Sequence, residues 1–445
     1  MPQAVYWFTN DLRLSDNPAL VHALNRESSL SFVYCLDPRL FRNGRFLCPS
    51  LGQLRYRFLV ESREAIDEML SDHDLYLNVY HLDWFQMAHY LHTKCDVDRI
   101  YVSENAGFDE RKIMLEIKRA LPNLNIITLN SHTLYSRDQL PFELESLPDS
   151  FSKFRKMIEN EPIEIQEPAL SPRHYEKSFL EKNDWRSAIP IMNSNITSVF
   201  NGGEKSGFAH LKNYFQQPFA QSYKATRNEL DRTEASTKFS PWLALGCISP
   251  RQVMHELQKH ESQQGVNEST YWIFFELLWR EYFQWYAHKH NQKLFALDGI
   301  QNKKPLTSFY DERYQRWCQG NTQYPIVNAC MKQLNATGYM SNRGRQLVAS
   351  CFVNELKLDR RYGAAYFEEH LIDYDVASNW GNWQYLAGVG ADPRGLRHFN
   401  LEKQTQTYDP EKVFINKWQG NETCLSHDSI DAVGWPIEPP QEDPS

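Results

Sequence analysis

The run YMSNRGRQLVASCFVNELKLDRRYGAAYFEEHLIDYDVASNWGNWQYLAGVG, Tyr339 to Gly390, decides how this chain is read. Arg343 and Arg345 open an amphipathic helix whose apolar face, Leu347, Val348, Cys351, Phe352 and Leu356, keeps helical spacing. Asp373 and Asp375 then stand two apart after a second, aromatic helix. Asn379, Trp380, Trp383 and Tyr385 crowd the turn that follows. Arginine against carboxylate, beside an amide and several indoles, suits a planar, charged, hydrogen-bonding heterocycle. The same residues also fit an Arg–Asp brace inside a helical core.

The chain of 445 residues exceeds what one core commonly holds, so two domains are expected. Its 41% hydrophobic and 13% aromatic content can fill both. No apolar run approaches the roughly 20 residues needed to cross a bilayer. MPQAVYWF has no leader-like pattern, so an intracellular, cytoplasmic protein without membrane attachment is expected. Eight Cys without a CxxC read as reduced thiols, and no HExxH or paired Cys spacing supports a metal. The net charge of −8 confines any nucleic-acid contact to a local basic patch.

Residues 1–130 alternate short Val/Ile/Tyr-rich runs with helical segments, which predicts a parallel α/β sheet domain. Asn17 before Pro18 reads as a helix cap, and Asp83 as another. The first strand leads into TNDLRLSDNPAL, with no GxGxxG, so a dinucleotide fingerprint is missing. Residues 131–204 form a Pro-punctuated linker with one helix in SFSKFRKMIEN. Residues 205–420 predict an all-α domain, and 421–445 an acidic, disordered tail with Trp435 able to dock.

NRGRQ followed by LIDYDVASNWGNWQYLAGVGADPRGLRHFN resembles the FAD-binding half of the photolyase/cryptochrome family, and GNWQYLAGVGADPR is most similar to its DASH branch. The resemblance runs from about Val5 to Trp418 and implies a Rossmann-like α/β antenna domain followed by a helical FAD domain. It implies that Tyr223, Thr237, Lys238, Phe239 and Ser240 surround the FAD phosphates, with Glu276 and Arg280 on the adjoining helix. Ser/Thr hydroxyls and backbone amides near a helix start suit a pyrophosphate, though such a loop is more often a plain turn. Asn342, Arg345, Asp373, Asp375 and Asn379 would hold the flavin ring.

Glu276, Trp279, Arg280 and Phe283 share one helical face, which also permits a simple Glu276–Arg280 surface pair. By resemblance Glu276 and Trp279 enter a lesion pocket, with Asn342 and Trp383 in catalytic positions. Arg227, Arg343, Arg394 and Arg397 would meet DNA, and Gln346 and Tyr385 would form a polar pocket wall. Asp109 and Glu110 match residues that hold a 5,10-methenyltetrahydrofolate antenna, although DER is also an ordinary helix start. The implied activity is blue-light-driven repair of cyclobutane pyrimidine dimers, preferably in single-stranded DNA, by a monomer. A photoreceptor without repair and a duplex photolyase are the alternatives.

One departure concerns electron supply. Trp383 matches the innermost of three relay tryptophans, but Arg360 and Thr307 occupy the other two positions. Tyr362 is the first substitute expected from the sequence, then Tyr366, with Tyr310 and Trp380 behind them.

Overall fold

The computed structural model describes residues 3–163, 178–185, 199–391, 395 and 397–423. Strands β1 (Gln3–Phe8), β2 (Leu30–Cys35), β3 (Leu77–Tyr80), β4 (Val97–Ser103) and β5 (Asn125–Leu129) form one sheet in the order β3-β2-β1-β4-β5. Every pairing is parallel, and Tyr6 of β1 stands opposite Phe32 of β2 and Tyr101 of β4. The crossovers are helices α1 (Pro18–Arg26), α2 (Gln53–Ser71), α3 (Trp84–Lys94) and α4 (Phe108–Ala120). The α/β expectation therefore holds. Side chains alternate across the strands, and both faces are covered. Tyr6, Phe8 and Phe32 join a core shared with Leu20, Ile66 and the helical half. Val5, Trp7, Val33 and Val102 form a separate core with Met87, Leu91 and Ile117.

Local caps act where the sequence places them. The Asn17 side chain accepts a hydrogen bond from Leu20 N, with Pro18 at the first helical position. Asp83 and Gln86 form a reciprocal capping box at α3.

Beyond the sheet lie α5 (Phe151–Ile158), α6 (Glu204–Gln216), α7 (Phe219–Thr226), α8 (Ser240–Ala244), α9 (Pro250–Gln264) and α10 (Glu268–His290). They are followed by α11 (Asp311–Gln319), α12 (Pro325–Thr337), α13 (Asn342–Ser350), α14 (Arg360–His370), α15 (Val376–Leu386), α16 (Leu401–Tyr408) and α17 (Val413–Lys417). α10 is aromatic all round and runs through the middle of this half, packed on α7, α15, α5 and α9. α13 continues into a π-helical turn, Cys351–Glu355, closed by Leu356 N donating to Cys351 O. Such widened turns frequently accompany functional sites. The expected tail from residue 424 onward, Trp435 included, lies outside the described residues.

The two halves are fastened by buried polar groups. Arg251 at the start of α9 donates to the Asp16 carboxylate at 3.0 Å, and Arg13 donates to Gly246 O at 2.9 Å. Glu204 of α6 accepts from the backbone of Leu14 at 2.7 Å and of Ser15 at 3.1 Å. Gly246 has φ +65°, and a Cβ there would sit 2.1 Å from Asn10 O, so only glycine permits this approach.

Candidate functional site

α13, α14 and α15 enclose a cavity lined by Asn342, Arg345, Gln346, Asp373, Asp375, Asn379, Asn382 and Trp383. Its geometry follows from helix ends. Ser341 caps α13 by accepting from Gly344 N, which puts Asn342 and Arg345 on the cavity side. One Arg345 terminal nitrogen donates to both Asp373 oxygens, at 3.0 and 2.7 Å, while its Nε donates to Met340 O at 2.9 Å. Ser240 Oγ donates to the same carboxylate at 2.6 Å. The Asp373 side chain is 1% exposed and Arg345 25%, so the carboxylate is dry while the guanidinium keeps one wet edge, and losing Arg345 strands the carboxylate charge.

Asp375 caps α15 by accepting from Ser378 N at 2.7 Å, and its other oxygen accepts from Gln284 Nε2 at 2.7 Å. Asn379 is held by donating to Ala364 O at 3.0 Å. Fixed amides, a half-buried guanidinium and two oriented carboxylates fit a flavin, whose ring edge carries both donors and acceptors and whose reduced form is anionic.

Next to the cavity, Lys238 has φ +50° and lies 5.0 Å over the Tyr339 ring. Burial pushes its pKa down to about 8. A phosphate nearby would restore that charge. Thr237 O lies 2.8 Å from His210 Nε2, and Phe239 is buried against Tyr214 and Phe215. Tyr223 is also buried, with Glu276 and Arg227 beside it. Arg280 does not join the lining. It donates to His132 O and, at 3.3 Å, to Leu243 O, tying α10 to the stretch after β5. Tyr223, Thr237, Lys238, Phe239, Ser240 and Glu276 likewise stand outside the cavity lining.

The neighbouring face of α10 is arranged differently. Glu276 pairs with Arg227 of the α7 end, not with Arg280. Arg227, expected at a DNA backbone, turns inward and also lies 4.3 Å over the Trp272 ring. Burial pushes the Glu276 carboxyl up, and Arg227 pulls it partly back. Trp279 is stacked on Phe151 of α5, ring centroids 3.8 Å apart and planes 12° from parallel. Tyr385 meets Trp279 edge-on at 6.0 Å, and Arg397 lies 5.3 Å over Tyr385. Gln346 lines the cavity. Arg343 donates to Asn228 at 3.2 Å and Gln404 at 3.3 Å, and lies 4.7 Å over Tyr408, but its Nε has no partner among the described residues. Arg394 lies outside the described residues.

In the first half, Asp109 and Glu110 occupy the first turn of α4. Asp109 is exposed, whereas burial pushes Glu110 up to about 7, helped by Glu368 and Asp109. Among the described residues no cluster of three His, Cys, Asp or Glu could hold a metal ion. No described helix is long and apolar enough to cross a membrane.

Trp383 forms part of the cavity wall, with Gly363 pressed so close that a Cβ would lie 2.3 Å from the indole. Arg360 is held by Leu297 O at 2.8 Å and Ala296 O, and Thr307 Oγ1 donates to Lys357 O at 3.3 Å. Tyr362 touches Phe46, Phe309 and Tyr314 rather than Trp383, so its first rank is corrected. Three contributors went unnoticed in the sequence: Gln284, Phe151 and Trp317. Tyr314, Trp317 and Cys318 share the buried side of α11, a spacing that marks Trp317 as interior without marking its neighbour.

Residues 4–172 match the sequence profile of DNA photolyase, and residues 272–441 that of the FAD binding domain of DNA photolyase. A cryptochrome DASH of Idiomarina loihiensis is 49% identical, covering 97% of this chain and 96% of that protein. One from Vibrio parahaemolyticus is 50% identical, covering 98% of each. The crystal structure of a Synechocystis cryptochrome superposes with a TM-score of 0.87 at 38% identity, over 94% of this chain and 88% of that one.

Proposed function

Because the chain belongs to the photolyase/cryptochrome family, among the cryptochromes DASH, we propose that it binds FAD in the α13–α15 cavity and repairs cyclobutane pyrimidine dimers under blue light, preferring single-stranded DNA. The observation that carries this reading is the Arg345–Asp373 pair, its carboxylate dry, facing the cavity beside Asn379. Bound FAD would supply light absorption and a transferable electron. The chain's own residues do the rest. Arg345 offers fixed positive charge, Asn342 and Asn379 offer amide groups, and the Lys238–Ser240 loop takes the phosphate side.

Glu276 then serves the substrate. A carboxyl group whose proton is held more tightly by burial can donate to a pyrimidine carbonyl while charge develops there. Arg227 is the group that tunes it. Flipping a dimer out of a duplex costs a few kcal/mol, and a strand already open avoids part of that. Gln346 and Tyr385 make a polar wall that returns little of this cost, which supports the single-strand preference. The acidic pair at the start of α4 is assigned to a 5,10-methenyltetrahydrofolate antenna, with Glu110 the buried member. The protein acts as a monomer inside the cell.

The test is repair of dimer-containing oligonucleotides by purified, illuminated protein. Repair of single strands faster than of duplexes is expected. Equal rates would return the protein to the duplex class. One observation favours a second reading, a photoreceptor that does not repair: Phe151 already covers one face of Trp279. No repair on either substrate, with FAD bound, would select that reading.

A further inference from the structure

Trp383 is the indole on the cavity wall, and its neighbours govern where an electron vacancy on it can travel. Arg360 offers no station, because its guanidinium is already cationic and stays so. Among the described residues, the rings in contact with Trp383 are Phe367 at 5.2 Å, Phe352 at 5.7 Å and Trp317 at 6.3 Å. Phenyl rings resist oxidation, which leaves the indole. Trp317 is fully buried, and its Nε1–H donates to Val348 O at 3.0 Å, so a carbonyl dipole faces any positive charge formed there.

The ring contacts continue outward. Trp317 lies 5.5 Å from Tyr366, Tyr366 lies 6.4 Å from Tyr314, and Tyr314 lies 5.9 Å from Tyr362. Tyr366 O–H donates to Asn335 Oδ1 at 2.7 Å and Cys318 O at 3.1 Å. As Tyr366 is oxidised its phenol becomes a very strong acid, so the proton shifts along the hydrogen bond to Asn335 Oδ1 and returns when the vacancy passes on. Tyr362 is half-buried and is the member of the file that reaches solvent.

We infer that Trp317 is the second station of an electron path into the cavity, with Tyr366, Tyr314 and Tyr362 as its outlet, in place of the positions taken by Arg360 and Thr307. The inference rests on FAD occupying the cavity as proposed above. One electron leaves Trp383 for the cavity, and one from Trp317 refills it. The vacancy moves through the phenols to Tyr362, whose O–H bond breaks and releases a proton to water. A dissolved thiol then returns one electron and one proton to the neutral tyrosyl, and two thiyl radicals couple to a disulfide.

Illumination of FAD-loaded protein with a thiol, followed by absorbance and by electron paramagnetic resonance, tests the path. In Trp317→Phe, photoreduction slows at least about tenfold and the tyrosyl signal vanishes. In Tyr362→Phe, the tryptophan radical still forms but no neutral tyrosyl follows. Should Trp317→Phe fail to retain flavin, Tyr366→Phe carries the same expectation of a lost tyrosyl signal without touching Trp383. A wild-type photoreduction rate in Trp317→Phe, or a tyrosyl signal persisting in Tyr366→Phe, overturns the path. Chemically reduced wild type assayed on single-stranded dimers separates the two ideas: no repair there sinks the repair reading, while the radical signals still decide the route.

Discussion

The cavity wall and the α10 face beside it handle charge in opposite ways. Within the cavity, Arg345 and Asp373 are locked by two short contacts, braced by Ser240, and the carboxylate is almost wholly buried. On the α10 face, Glu276 and Arg227 are joined to each other, but their side chains are 32% and 20% exposed. The difference lies in the carboxylates, 1% exposed for Asp373 against 32% for Glu276, since the two arginines are similarly wet; a dry carboxylate held by Arg345 and Ser240 is a permanent fixture for a resident group. A half-wet pair can be exchanged, Arg227 for a substrate carbonyl, at modest expense. The contrast teaches which side of the site is built to keep its occupant and which to release it.

Removing a partner from the locked pair breaks the contrast most severely. Asp373→Ala leaves Arg345 without a counter-charge, and because a quarter of its side chain stays in water the cost falls below the fully buried case, at about 2–3 kcal/mol. Flavin retained on purification, read from the ratio of flavin to protein absorbance, should fall to a small fraction. Full occupancy would mean that the pair is not part of the cofactor wall.

The corresponding change on the open side is smaller and selective. Glu276→Ala should keep flavin and lose repair by about a hundredfold, near the loss of one charge-stabilising donor. Parallel loss of flavin and repair would make Glu276 a structural residue and erase the distinction between the two regions.

Lys238 sharpens the comparison through pH. Its pKa is pushed down to about 8 by burial, below the unfolded value. The sign follows directly: the folded chain prefers the neutral amine, so stability is present at high pH and is lost as pH falls through about 8. Without flavin, the protein should gain about 1 kcal/mol between pH 7 and 9 relative to Lys238→Met. Bound FAD should flatten that slope by supplying a counter-charge. A slope unaffected by FAD would separate Lys238 from the phosphate side.

The weakest expected effect is on salt. Arg343→Ala and Arg397→Ala should each lower the slope of log affinity for single-stranded DNA against log salt by about 0.7. Measured by fluorescence anisotropy, an unchanged slope would remove that arginine from the DNA surface.

The sheet was readable because its signals are local: alternating strands, Asn17 and Asp83 caps, and crossover helices each declare themselves within a few residues. The Arg345–Asp373 pairing was legible for another reason, a motif long enough to carry a family resemblance. What escaped depended on contacts between residues remote in the chain. Glu276 had Arg280 one turn away, yet its partner is Arg227, forty-nine positions earlier. Tyr362 stands two residues beyond Arg360, which makes it the obvious substitute along the chain, whereas Trp317, sixty-six positions from Trp383 on α11, touches the Trp383 ring. Helical periodicity reports which face is inward, not which helix it will meet.

The fastening between the halves sets a limit on recombining this protein. Gly246 lets the backbone of the helical half come against Asn10 and Asp11, and Arg251 reaches into the Asp16 carboxylate. A chimera that takes its sheet from one relative and its helices from another must therefore import both sides of this seam together. α4 belongs to the same seam, because its Arg111 donates to Ala287 O at 3.1 Å and Asn291 Oδ1 at 3.0 Å on the helical side. Any cut between the halves must thus respect Gly246, a residue that offers no side chain to either of them.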